Sequence, residues 1–204
     1  MRQKPTIASP ARTDQVVAAV RTLFRRYGYR RTSVDEIARE AGLSKATLYL
    51  AFAAKEDMFR AMLRQFRAEV LGRCAAAEAL DAPVERRVAA FIHAAYGTAL
   101  EWFGDAAHIS ELKSVAAEHM LSGFEGDDQS HFRKRLESIL DTAEQAGEID
   151  LAARGTSSRE VALVLIFAAH GAKQSQRDGA EGYGATLDAI ARLVVTPLKP
   201  GGKP

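Results

Sequence analysis

TSVDEIAREAGLSKATLYLAFAAK, Thr32 to Lys55, is the stretch on which the fold turns. Ser33 carries an N-capping oxygen and Glu36 follows three residues later, the spacing of a capping box. Val34, Ile37, Ala38 and Ala41 recur at helical spacing, so one face of this first short helix is apolar. Gly42 comes next, and glycine adopts a left-handed backbone without steric cost, ending one helix and turning the chain sharply. Leu43 fills the angle, and Ser44 caps a second helix that puts Leu48 and Phe52 four apart on one side. Lys45, Thr47 and Tyr49 fall on its other faces. Two short helices about a glycine turn are the geometry of a helix-turn-helix. In that motif the second helix enters the major groove while the first crosses the backbone.

Working outward, the string GYRRTSVDEIAREAGLSKATLYLAFAAKEDMF, Gly28 to Phe59, resembles the TetR family of transcriptional regulators. The resemblance covers residues 10 to about 60 and rests on dense matching at a specific spacing. Ala54 departs from it, standing where Ser or Asn often caps the next helix. Leu50 and Ala51 also depart, standing where more polar or aromatic residues often face DNA. The resemblance implies DNA contacts from Ser33, Lys45, Ala46, Thr47, Tyr49, Leu50 and Lys55. Within that set, Tyr49 and Lys55 match phosphate-holding positions, and Ser33 would meet a phosphate at a helix N-terminus. Lys45 and Thr47 are placed for base edges, through guanine acceptors and a thymine methyl. For Ser44 the reading is capping alone.

The charge is distributed in the same sense. The chain has 204 residues and a net charge of +2. Residues 1–60 hold twelve Lys and Arg against six Asp and Glu, a balance of +6, and residues 61–204 hold sixteen against twenty, a balance of −4. A basic head on an acidic body suits a DNA-contacting domain joined to one that does not touch DNA. Arg21, Arg25, Arg26, Arg30 and Arg31 are candidate phosphate contacts. Residues 1–11, with Pro5 and Pro10, read as a flexible basic arm.

The rest of the chain has helical period throughout, with no strand alternation and no internal repeat. Helices are expected from Thr13 to Gly28, Lys55 to Ala79, Pro83 to Gly104, Ala106 to Leu121, about Phe132 to Gly147, Ser157 or Ser158 to Gly179, and Tyr183 to Val195. Ser122–Ser130 has loop composition and Lys199–Pro204 reads as a tail without regular structure. The fold class is all-α, about nine helices. Residues 10–70 form the DNA-binding head, its motif at 33–52, and residues 71–197 a second helical domain.

The stretch from Val161 to Ala169 is apolar all round, which predicts burial on both sides. One reading helix grips one half-site, so specific binding calls for a homodimer. The family resemblance places the dimer interface on the last two helices, with Val161, Leu165, Ile166, Leu187, Ile190 and Val194 as its apolar contacts. It also implies a small-molecule effector pocket in the second domain. Candidates for its lining are Phe91, Tyr96, Trp102, Phe103, Leu112, Val115, Met120, Phe167 and His170.

No phosphate loop, nucleophile elbow or paired metal-binding carboxylates occur, so the reading is not an enzyme. The histidines show no HxxxH-type spacing, and no metal or cofactor is assigned. Cys74, the single cysteine, has no internal partner. With no apolar run of about 20 residues and no signal-type segment, a reduced cytoplasmic setting is expected. The function this implies is sequence-specific DNA binding by a homodimer on a near-palindromic operator. Its sign is expected to be repression, relieved by an effector. A ligand-independent architectural DNA-binding protein is the alternative.

Overall fold

In the computed structural model, residues 10–119, 121, 127–174 and 179–201 are described. They form helices throughout, and no strand occurs among them. The helices are α1 (Pro10–Tyr27), α2 (Val34–Glu40), α3 (Lys45–Ala51), α4 (Lys55–Glu78), α5 (Val84–Ile92), α6 (Thr98–Phe103), α7 (Ala106–Glu118), α8 (Asp127–Gln145), α9 (Ser158–Gln174) and α10 (Gly179–Val195). A π-helical stretch, His93–Gly97, joins α5 to α6 without a break. Counting that run as one rod gives nine helical rods among the described residues.

Two compact units result: residues 1–68 with 102–124, and residues 69–101 with 125–204. The expected cut near residue 70 falls inside α4. The return of 102–124 to the first unit was not anticipated from the sequence. Its cause is aromatic. Phe66 on α4 lies 5.5 Å from Trp102 and 5.0 Å from Phe103, and the Arg21 guanidinium stacks 4.3 Å from the Trp102 ring. The core of this unit continues through Val16, Val20, Phe24, Ile37, Leu48 and Phe59, all essentially without exposure. Phe24, Tyr29 and Phe59 form a triad with ring centroids 5.2 to 5.9 Å apart. Truncating one such core phenylalanine to alanine costs about 3–5 kcal/mol.

In the second unit α8 packs on α9, and α10 packs on both α5 and α9. Its core includes Val84, Val88, Phe91, Leu136, Leu140, Leu165, Tyr183 and Leu187. Polar ties within it are specific. Arg135 makes a two-point pair with Glu78 at 2.6 and 2.9 Å, and Glu148 bonds both Arg87 and the Val84 backbone N–H.

Several element boundaries differ from the sequence reading. The described part of α1 opens at Pro10, ahead of Thr13, and proline's fixed φ and missing N–H suit a first helical turn. Helix α5 has no side-chain cap at its N-terminus; Glu148 supplies the acceptor for the Val84 N–H from 64 residues away. Gly179 opens the described part of α10 instead of ending the helix before it. Residues 175–178, part of the expected 122–130 loop, most of the N-terminal arm and the last three residues lie outside the described residues. The 161–169 run is not buried all round within one subunit: Val164 is 52% exposed and Phe167 66%. Its inward face fills the core, and its apolar outward face is left on the surface.

Candidate nucleic-acid interface

The helix-turn-helix is built by local bonds that the sequence itself supplies. Ser33 Oγ accepts from the Glu36 N–H at 3.2 Å, while Glu36 Oε2 accepts from the Ser33 N–H at 2.7 Å, completing the capping box. Donation from the Ser33 N–H, and next from its hydroxyl, holds the Glu36 carboxyl below the usual carboxylate range. At the other end of α2 the Leu43 N–H donates to Ala38 O and the Gly42 N–H to Arg39 O, with Gly42 at φ +63°. That pair of bonds is the Schellman motif, which requires the left-handed residue. Ser44 Oγ then accepts from the Thr47 N–H at 3.0 Å and caps α3, in keeping with its assigned role. The same hydroxyl bonds Thr47 Oγ1 at 2.7 Å, leaving the Thr47 methyl as its unengaged part.

Helix α3 is two-sided. Leu48 is fully buried and Phe52, its C-cap, nearly so, which anchors the helix on the core. Lys45, Ala46, Tyr49 and Leu50 are exposed, with Tyr49 at 46% and Leu50 at 60%. Two bulky side chains are thus presented to solvent beside a lysine, while hydrophobic partners hold the opposite face. Ser33 is also exposed, with its oxygen engaged in the cap.

The cations of this unit are more engaged than the sequence suggested. Lys45 Nζ lies 2.9 and 3.0 Å from the two oxygens of Asp35. Lys55 donates to the Tyr29 carbonyl at 2.5 Å and sits 4.0 Å above the Tyr29 ring. Burial there pulls the Lys55 ammonium below the usual lysine range. Tyr29 in turn donates to Glu56 Oε1 at 3.0 Å, and burial raises its phenol. Arg30 pairs with Glu118 at 2.6 Å, and its backbone N–H donates to Glu111 at 2.8 Å. Arg25, Arg26 and Arg31 remain exposed. Ala54 lacks a capping oxygen, and Asp57 Oδ2 accepts from the Ala54 N–H at 3.2 Å, the reciprocal half of a capping box. Neither Asp35 nor Glu111 could be found from periodicity, because Asp35 meets Lys45 across a turn and Glu111 meets Arg30 from 81 residues away.

This construction has close counterparts. Residues 16–62 match the profile of the tetR family of bacterial regulatory proteins. Residues 16–62 therefore carry the DNA-binding domain of the tetR family. A 52-residue segment is 33% identical to the uncharacterized HTH-type transcriptional regulator YfiR of Bacillus subtilis, covering 26% of this chain and 25% of that one. That match spans a quarter of the relative's length. Solved structures are similar over nearly the whole chain. A TetR transcription regulator from Haloarcula marismortui has a TM-score of 0.70 at 18% identity, covering 92% of this chain and 98% of that one. PfmR of Thermus thermophilus gives 0.64 at 20% identity, covering 91% and 99%. The ketosteroid regulator KstR2 of Mycobacterium tuberculosis gives 0.61 at 20%, covering 94% and 98%. At these identities the likeness is one of fold. A tetR-family helix-turn-helix is a DNA-binding element, and the all-α architecture agrees with the sequence reading.

The remaining expected site residues are distributed as follows. Trp102, Phe103, Leu112 and Val115 lie buried in the first unit. Phe91, Tyr96 and His170 lie in the second unit, where the Tyr96 and His170 rings meet at 5.1 Å. Phe167 is on the surface, and Met120 lies outside the described residues. Of the expected interface set, Val161, Leu165, Ile166 and Leu187 are buried inside their own subunit, and Ile190 and Val194 are half-buried. The exposed apolar side chains of the same two helices are Val164, Phe167 and Leu193. No helix among the described residues is long and apolar enough to cross a membrane. No group of three metal-capable side chains occurs among them.

Proposed function

We propose that this protein is a tetR-family regulator, a homodimeric repressor that binds a near-palindromic operator and leaves it when a small molecule binds the second unit. The observation that carries the DNA half of the reading is the two-sided α3, with Leu48 buried and Lys45, Ala46, Tyr49 and Leu50 outward. A helix held this firmly by one face can be read by the other. Tyr49 holds a phosphate, Lys45 and Thr47 approach base edges, and Ala46 and Leu50 pack on the groove. Ser33 and Lys55 contact the backbone once Lys55 turns from the Tyr29 carbonyl.

Dimerisation uses the outward face of α9 and α10, where Val164, Phe167 and Leu193 are the exposed apolar groups. Two copies of that face, paired about a twofold axis, place two reading helices on two half-sites. Effector binding in the second unit is communicated along α4, a single 24-residue helix with residues in both units. A changed spacing of the reading helices then costs operator affinity.

Selection of bound fragments from the source genome, followed by footprinting, tests this. A protected near-palindrome within a promoter is the expected result. Binding that is weak, independent of sequence and steeply salt-sensitive would remove specific repression and favour the architectural reading.

A further inference from the structure

The second unit contains a buried polar group without a partner. Tyr96 is 7% exposed, and its hydroxyl is buried with no hydrogen-bond partner among the described residues. Tyr183, in the same core and 1% exposed, shows the ordinary arrangement: its hydroxyl donates to Ala169 O at 2.8 Å. An unsatisfied buried hydroxyl costs the desolvation of that group, and phenylalanine supplies the same ring without it. Tyr96 also stands on the π-helical stretch His93–Gly97, a geometry that recurs at functional sites.

Its ring contacts are aromatic. The Tyr96 ring meets His170 at 5.1 Å and Phe132 at 6.3 Å, and Phe132 meets Phe91 at 6.3 Å. The thiol of Cys74 is pushed up to about 12 by burial and stays neutral. The guanidinium of Arg135, 5.6 Å from the Phe91 ring, is held by both oxygens of Glu78. An anionic ligand would find the Arg135 guanidinium already paired with Glu78 and would enter at a large desolvation cost.

We propose that the Tyr96 hydroxyl is the hydrogen-bond donor of a ligand site in the second unit, whose ligand is a neutral, largely apolar molecule presenting one oxygen acceptor. The proposal rests on the reading that this unit binds a small-molecule effector, and it names the chemical class. The aromatic side chains hold the apolar body, and the phenol fixes its orientation through a carbonyl or ether oxygen.

The test is thermal denaturation of the full chain and its Tyr96→Phe variant with 2-octanone, and with octanoate of matched length. The ketone raises the wild-type midpoint, octanoate does so far less, and Tyr96→Phe binds the ketone about three- to tenfold more weakly, the value of one hydrogen bond. Without ligand, Tyr96→Phe melts no lower than wild type. Equal ketone affinity in both proteins overturns the proposal. So does preference for octanoate, absence of any ketone response, or a clearly lower melting point of the unliganded variant. Operator binding separates the two readings. Ketone binding that depends on Tyr96 but leaves operator affinity unchanged keeps the site and removes its role as the effector site.

Discussion

The Lys45 ammonium lies 2.9 Å from Asp35 Oδ1, so the first residue of the reading helix is tied to α2 before any DNA arrives. Both side chains are more than half exposed, so the pair adds little to stability. Its value is positional. Asp35 limits the directions in which Lys45 can reach and places a negative charge that disfavours indiscriminate phosphate binding. Asp35→Asn is therefore expected to leave the melting temperature unchanged and to tighten binding to random DNA. The affinity ratio between operator and scrambled sequence should fall roughly tenfold, the size of one base contact. Anisotropy titrations with both duplexes decide it, and an unchanged ratio rejects the positioning role.

Gly28 is constrained twice. Its φ is +80°, and a Cβ added there would overlap the Glu111 carboxylate. Gly28→Ala is expected to destabilise the protein by about 1–3 kcal/mol in urea denaturation. Adding Glu111→Ala removes the overlap but not the left-handed strain, so the double variant should recover part of the loss. Additive losses would show that the two positions do not interact.

These two cases show what was legible in the sequence. Helix-turn-helix signals act within four residues, through Ser33 with Glu36 and through Gly42 with Leu43, and local signals survive in a one-dimensional string. The cross-turn pair Asp35 with Lys45 and the long-range pair Glu111 with Arg30 leave no periodic trace. Val161–Ala169 was read as buried all round because composition does not distinguish the chain's own core from a surface left for another copy. The inward set, Val161, Leu165 and Ile166, and the outward set, Val164 and Phe167, differ only in direction. Residues 102–124 joined the first unit through Phe66, Trp102 and Phe103, a long-range aromatic contact that helical spacing cannot reveal.

Acid should loosen the capping boxes. Hydrogen bonds from Ser33, the backbone N–H foremost, lower the Glu36 carboxyl from 4.5, and bonds from Ser157, its hydroxyl foremost, do the same for Glu160. Between the folded and unfolded pKa values the unfolded chain binds more protons, so stability rises with pH in that window. The contribution is fully present above about pH 4.5 and is lost as pH falls through the folded values. Glutamine keeps an acceptor oxygen without the titration. The Glu36→Gln, Glu160→Gln variant should have a flatter melting-temperature profile between about pH 3 and 5 than wild type. Parallel profiles would remove these two groups from the acid response.

The two faces of α9 should separate assembly from folding. Ile166 is 3% exposed and Phe167 66%. Ile166→Asp buries an unpaired charge and is expected to cost about 3–5 kcal/mol, with loss of helical signal. Phe167→Asp is expected to stay helical and to give a monomer by light scattering. A Phe167→Asp protein that remains a dimer would place the subunit contact elsewhere.

Tyr49 gives the most direct test of the reading helix. It is 46% exposed and lies one position beyond fully buried Leu48, so its removal leaves no cavity in the core. Tyr49→Ala should therefore retain fold and oligomeric state by circular dichroism and light scattering. A phosphate contact carries no sequence information, so operator and scrambled DNA should weaken by similar factors, about tenfold each. If only the operator weakens, Tyr49 touches a base edge and not the backbone. If neither weakens, the outward face of α3 reads DNA without it, and the phosphate assignment fails.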